Sequence, residues 1–165
     1  MKLRIAGVME ESIVDGDGCR FALFVQGCSR RCSGCHNPET QPFDGGKEID
    51  TKDILRLMDA NPLLAGITFS GGEPFCQPRP LTELAKAVHA RGLTVWSYTG
   101  NTLEELQSRE DADVSSLLEE VDVLVDGEYI EAQRDLTLKF RGSRNQRVID
   151  MNRTRKTGTI VLKYA

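Results

Sequence analysis

Short runs of apolar and β-branched residues alternate along this chain with stretches whose apolar positions recur every three or four residues. Residues 3–9 and 20–26 (R-F-A-L-F-V-Q) have the content of strands and are bounded by glycine or aspartate. Asp50 can cap a helix reaching to about Ala60, with Ile54, Leu57 and Met58 on one face and Asn61-Pro62 ending it. Gly66-Ile-Thr-Phe-Ser70 is a short strand that runs into Gly71-Gly72-Glu73-Pro74. Pro80 suits the first turn of the next helix. Its Leu81, Leu84, Ala85 and Val88 keep the i, i+3, i+4, i+7 spacing, and Gly92 fits its stop. Residues 94–98 read as another strand, closed by Thr99-Gly100-Asn101. Val114, Leu117, Leu118 and Val121 repeat the helical spacing before a strand over 121–125 that ends in Asp126-Gly127.

Strands and helices alternating at these intervals imply βαβ units and a mostly parallel sheet. Right-handed crossovers curl such a sheet toward a barrel. Far fewer than eight βα units are visible, so the expected fold is α/β, an incomplete β/α barrel or open sheet. Ligands collect at the carboxyl ends of the strands in either arrangement. The long segment 27–48, the G-G-E-P turn and the Y-T-G turn each follow a strand and so fall on one rim. A loop as long as 27–48 in a compact domain is usually functional.

The 165 residues are expected to form one domain, 1–165, with no repeat or linker. A net charge of −4 argues against a general nucleic-acid binder, whose footprint is basic. The R-T-R-K cluster at 153–156 reads as a solvated tail, with a docking patch for an acidic partner as the alternative. No apolar run approaches the ~20 residues of a membrane span. The amino terminus lacks the apolar core and cleavage site of a secretion signal. An odd cysteine count, five, makes a disulfide framework improbable. The expected location is cytoplasmic, without membrane or nucleic-acid partners.

Three of those cysteines fall within Cys28-Ser-Arg-Arg-Cys32-Ser-Gly-Cys35. Cubane iron–sulfur sites normally take four thiolates. A cluster held by three leaves one iron open to a small molecule, and an open position marks chemistry rather than scaffolding. Structural zinc fits less well. His36 adjoins Cys35 and cannot easily turn to the same metal, His89 is far along the chain, and zinc sites favour paired C-x2-C elements. Cys19 and Cys76 are single and read as ordinary thiols. Arg30 and Arg31 would lower thiolate pKa values and offset cluster charge, or would simply be solvated.

Gly71-Gly72-Glu73-Pro74 places two glycines past a strand end, where bare backbone can approach a ligand; alone, such a pair is also an ordinary tight turn. Together, the three-cysteine loop and the G-G-E motif resemble the radical S-adenosylmethionine (SAM) superfamily. Val14-Asp-Gly-Asp-Gly-Cys-Arg, F-V-Q-G-C and C-H-N-P-E-T resemble the activating enzymes of glycyl-radical enzymes. Leu124-Val-Asp-Gly-Glu-Tyr-Ile and Phe140-Arg-Gly-Ser-Arg-Asn-Gln-Arg resemble the branch that activates anaerobic (class III) ribonucleoside-triphosphate reductases. The similarity spans roughly residues 5–151. One departure is Asp17, which stands where D-G-P-G is common and so gives up the preset φ of a proline. Cys19, at a position usually apolar or variable, is another.

The resemblance implies a partial barrel of the radical SAM type. It implies that Cys28, Cys32 and Cys35 ligate a 4Fe-4S cluster and that the amino and carboxylate groups of SAM chelate the fourth iron. Gly34, Cys35 and His36 would lie along SAM, His36 near the adenine unless it is a surface histidine. Gly71, Gly72 and Glu73 would meet the methionine end, and Ser97, with Tyr98 and Thr99, the ribose. The implied reaction is reductive cleavage of SAM to methionine and a 5′-deoxyadenosyl radical, which takes hydrogen from a glycine of the partner reductase's glycyl-radical subunit. No acid–base residue is needed beyond the cofactors. A one-electron donor such as a flavodoxin-type protein is expected. Arg141, Ser143, Asn145, Gln146 and Arg147 either face the partner or form a polar turn between two strands. The alternatives are an activase of another glycyl-radical enzyme, of pyruvate formate-lyase type, a small-molecule radical SAM enzyme, and a non-catalytic iron–sulfur or zinc module.

Overall fold

A computed structural model describes residues 1–29 and 38–164. The strands are β1 (Lys2–Ser12), β2 (Arg20–Val25), β3 (Lys47–Asp50), β4 (Gly66–Gly71), β5 (Thr94–Tyr98), β6 (Val123–Asp126), β7 (Arg147–Asp150) and β8 (Leu162–Tyr164). The helices are α1 (Thr51–Asp59), α2 (Pro78–Ala90), α3 (Leu103–Ser108), α4 (Ala112–Glu120) and α5 (Met151–Thr157). All the strands join one sheet in the order β3-β1-β2-β4-β5-β6-β7-β8. Its centre, β2-β4-β5-β6, is parallel. The outer pairs at both ends are antiparallel. The two end strands, β3 and β8, do not pair with each other, so the sheet stays open as a partial barrel.

Period-two alternation decides what each face carries. Phe21, Leu23, Val25, Ile67, Phe69, Val95, Leu124 and Ile149 project to the helix side. There they pack with Ile54 and Met58 of α1, Leu81, Leu84 and Val88 of α2, and Leu117 of α4 in one core. On the other face Trp96, Val123, Val125 and Val148 form a smaller cluster with Tyr98, Phe140 and Tyr164.

Capping agrees with the sequence. The Asp50 carboxylate accepts the Lys52 N–H at the start of α1. Gly92 sits at φ +74° just past α2, where a left-handed residue costs glycine least. Leu57, expected on the apolar face of α1, lies at its edge with 36% exposure, and Thr51, Ile54 and Met58 make the buried stripe.

Other expectations are corrected. The R-T-R-K cluster is part of α5, capped by Asp150, and Arg155 donates to the Leu118 and Val121 carbonyls. Arg153, Arg155 and Lys156 are solvent-exposed as expected, but on an ordered helix that closes the end of α4 rather than on a tail. Phe140 and Arg141 belong to no strand, because Phe140 takes φ +60° and only an isolated bridge, Arg134 to Ser143, crosses this segment.

At the amino-terminal ends of the parallel strands Arg20 closes the sheet's inner face. Its guanidinium donates to Thr68 Oγ1, the Asp17 carbonyl, Thr94 Oγ1 and the Ile67 and Thr94 carbonyls, and it lies 5.5 Å from the Trp96 ring centroid. Burial pulls its pKa down to about 10, against the opposing pull of Asp122 and Asp17. Asp17 takes Tyr164 Oη at 2.6 Å and Lys163 Nζ at 3.4 Å. Contacts to β8 thus fix the turn that lacks a proline.

Candidate functional site

The cysteine loop is pinned where it leaves and re-enters the sheet. Gly27 N–H donates to the Thr40 carbonyl at 2.7 Å and Cys28 N–H to the Gln41 carbonyl at 3.0 Å. Gln26 Nε2 reaches the carbonyls of Glu39 and Pro42 at 3.1 and 2.6 Å. Cys28 therefore stands at the foot of a closed loop, half-buried. Cys32, Cys35, Gly34 and His36, with Arg30 and Arg31, lie outside the described residues.

The G-G-E segment packs against that foot. Gly71 has φ +89°, and a side chain there would sit 2.6 Å from the Val25 nitrogen. A Cβ on Gly72 would sit 2.4 Å from the Gly27 carbonyl oxygen and 2.9 Å from that of Thr40. The sequence expects these glycines to bring bare backbone to a ligand; in the structure they let backbones meet, Gly71 against the end of β2 and Gly72 against the cysteine loop's stem.

Glu73 is 3% exposed, and its carboxylate is held from several sides. It accepts Thr99 Oγ1–H, with both oxygens at 2.9–3.0 Å, the Gly100 N–H at 2.7 Å and the Phe75 N–H at 3.0 Å. Hydrogen bonds then continue from loop to loop around the rim. Thr99 Oγ1 accepts the Asn101 N–H, the Asn101 carbonyl accepts the Gly127 N–H, and the Gly127 carbonyl accepts Gln146 Nε2. Gln146 Oε1 in turn accepts the Gly142 and Ser143 N–H groups. Loops with no regular structure of their own are locked to one another.

This rim surrounds a cavity of about 570 Å³, within the usual range for a small-molecule site. Cys28, Gly71, Gly72, Glu73, Tyr98, Thr99 and Gly100 border it on one side. The segment from Tyr129 to Gln146 borders it on another, through Tyr129, Leu136, Phe140, Arg141 and Gln146. The Tyr98 phenol is pushed to a higher pKa by burial and then by the charge of Asp15, so it stays protonated.

Ser97 does not border the cavity. It shares parity with Val95, is fully buried and donates to the Tyr98 carbonyl at 3.1 Å, so the strand's alternation points Tyr98 inward instead. Cys19 packs against the core. The Cys76 thiol is raised in pKa by burial and by Glu73, so it is a poor thiolate.

The N-Q-R segment works inward. Asn145 Nδ2 donates to the Glu128 carbonyl, Ser143 Oγ accepts the Ile130 N–H, and Arg141 donates to the Gln146 carbonyl. Arg147 is held by Asp126 and Glu104, which raise its pKa. Sequence reasoning missed Gln26, Asn101 and the cavity-facing Phe24. For Phe24 the signal was present, since it alternates with Phe21, Leu23 and Val25 in R-F-A-L-F-V.

The donor chemistry fits an open iron–sulfur site: three cysteines within eight residues of sequence, the first bordering a cavity floored by bare glycine backbone. Among the described residues, which exclude Cys32 and Cys35, no group of three or more His, Cys, Asp and Glu side chains is placed to hold a metal ion. Nor is any described helix long and apolar enough to cross a membrane.

Comparison with known proteins agrees with this chemistry. Residues 14–149 match a family described as a 4Fe-4S single cluster domain. The fold is similar to the crystal structure of QueE from Escherichia coli, with a TM-score of 0.51 and 15% identity over 76% of this chain and 70% of that one. A pyruvate formate-lyase-activating enzyme from Clostridium pasteurianum is 40% identical, over only 54% of this chain and 40% of that protein. The anaerobic ribonucleoside-triphosphate reductase-activating protein of Vibrio cholerae is 37% identical over 81% of this chain and 89% of its own length. That of Escherichia coli is 35% identical over 81% and 90%. The chain belongs to the family of anaerobic ribonucleoside-triphosphate reductase-activating proteins.

Proposed function

We propose that this chain cleaves SAM reductively at a 4Fe-4S cluster held by Cys28, Cys32 and Cys35, and so places a glycyl radical on an anaerobic ribonucleoside-triphosphate reductase. The observation that carries the reading is the cavity that Cys28 shares with Gly72 and the Tyr98–Gly100 turn. When bound, the cluster and SAM supply one electron and a broken carbon–sulfur bond, and the hydrogen removed from glycine ends on 5′-deoxyadenosine. The protein's own residues bind, orient and exclude water. Gly71 and Gly72 bring bare backbone to the cofactor end. Tyr98, Phe24 and Phe140 wall the cavity with aromatic surface, which keeps solvent from a reactive carbon. The open edge between β3 and β8 leaves a way in for a polypeptide segment, as a backbone glycine substrate requires. Gly34, Cys35 and His36 would lie along SAM, and a one-electron donor such as a flavodoxin-type protein would reduce the cluster.

The test is electron paramagnetic resonance (EPR) of candidate partners after incubation with the reduced, cluster-loaded chain and SAM. A glycyl-radical signal on the ribonucleotide reductase subunit is expected, and none on pyruvate formate-lyase. The reverse result would assign the chain to the second reading, which its similarity to the Clostridium enzyme supports over half its length.

A further inference from the structure

A carboxylate bordering a cofactor cavity invites the reading that it grips the cofactor. Glu73 has other partners. Among the described residues its two oxygens accept from the protein's own donors: Thr99 Oγ1 at both oxygens, the Gly100 N–H and the Phe75 N–H. Thr99 Oγ1 gives its single hydrogen to that carboxylate and accepts from both nitrogens of Asn101, so it has no second hydrogen to offer. Through Gly100 and Thr99 the carboxylate sets the turn after β5, and through its own backbone N–H Glu73 is fixed to the Gly27 carbonyl at 2.8 Å, one residue before Cys28. One residue thus ties the cysteine loop's stem, through its backbone, to the next rim turn, through its side chain.

We propose that Glu73 is a positioning residue that acts on SAM binding through Thr99 and Gly100, rather than a residue that contacts SAM. The inference rests on the function proposed above and assigns to Glu73 a role different from the direct contact expected from the sequence. Buried charge-assisted hydrogen bonds of this kind are the strong ones, and breaking one leaves a buried group unpaired.

The experiment is a double-mutant cycle on the anaerobically reconstituted chain. SAM affinity is read from the change SAM causes in the EPR spectrum of the reduced cluster, with iron content and melting temperature measured alongside. Glu73→Gln and Thr99→Val are each expected to weaken SAM binding about tenfold, and the double variant also about tenfold rather than about a hundredfold. Thr99→Ser keeps the hydroxyl and should recover most of the affinity that Thr99→Val loses. If Glu73→Gln costs the same factor with valine at position 99 as with threonine, the carboxylate does not act through Thr99 and the proposal is overturned. A second arm needs no cofactor: hydrogen exchange at the Gly100 amide should quicken in cluster-free Glu73→Gln and stay at the parent rate in Thr99→Ser. Unchanged exchange in Glu73→Gln would equally overturn the proposal. A parent protein that assembles its cluster but never responds to SAM would instead contradict the proposed function, while the exchange arm still decides what Glu73 holds.

Discussion

Single residues on the rim act mainly by what they exclude. Gly72 is the sharpest case, because the atoms a methyl group would strike are backbone carbonyls of Gly27 and Thr40 and cannot swing aside. Gly72→Ala should lower stability by about 2 kcal/mol through overpacking and displace the foot of the cysteine loop. Chemical denaturation together with iron uptake would show it; a variant that keeps parental stability and iron content would mean that the two backbones are not in contact. Gly92 is the contrast: a Cβ there meets nothing within 4 Å, so its use is conformational only. Both glycines stood out in the sequence, but only the structure says which of them is sterically enclosed. Ser97 and Glu73 were legible as polar residues near the site. Their directions were not, since these depend on strand parity and on a turn arriving from another loop.

At the scale of elements, the parallel centre of the sheet and its three longest helices were readable, because each carries a full apolar face. Strand β3 (K-E-I-D) was not. It is short and polar and is defined only by pairing with β1. Helix α5 escaped because Arg153, Lys156 and their neighbours lack an apolar stripe, and its stability comes from an Asp150 cap, a Gly158 stop and the docking of Arg155. The segment between β6 and β7 is the element with most functional consequence. Gln146 folds it by bonding Gly142, Ser143 and Gly127, leaving Leu136 79% exposed beside the cavity. Gln146→Leu keeps the bulk and loses these bonds, each worth about 1 kcal/mol. Radical formation on the reductase should fall about tenfold, while SAM cleavage without the partner stays within about twofold. Equal losses in both assays would show that this wall belongs to the cofactor end instead.

Across the whole molecule, two ends of the sheet divide the work. The carboxyl ends of the parallel strands carry the cavity, and the amino ends are closed by polar ties. His89 on α2 is one such tie, its Nδ1 at 2.9 Å from Glu120 and its Nε2 at 2.8 Å from Asp122, which also holds the Val95 N–H and Asn152. Burial lowers the imidazole's pKa, but the hydrogen bonds to Asp122 and Glu120 outweigh it, and the net shift is upward. A histidine raised above its unfolded value stabilises the fold fully below the unfolded pKa and loses that contribution as pH rises through the folded one. Stability should therefore decline from about pH 6 upward on this account, and His89→Gln should flatten the decline; a parallel pH profile in the variant would contradict it. None of this network was visible in the sequence, where His89 appeared only as a distant histidine.

The central claim is that three thiolates, and no others, hold a cluster that splits SAM. The most direct measurement is 5′-deoxyadenosine formed after anaerobic reconstitution and reduction, across single cysteine-to-alanine variants. The product is expected from the parent, Cys19→Ala and Cys76→Ala, with about four iron and four sulfide per chain, and from none of Cys28→Ala, Cys32→Ala or Cys35→Ala. Product from a variant lacking one of those three, or a parent that takes up zinc and leaves SAM whole, would contradict the account.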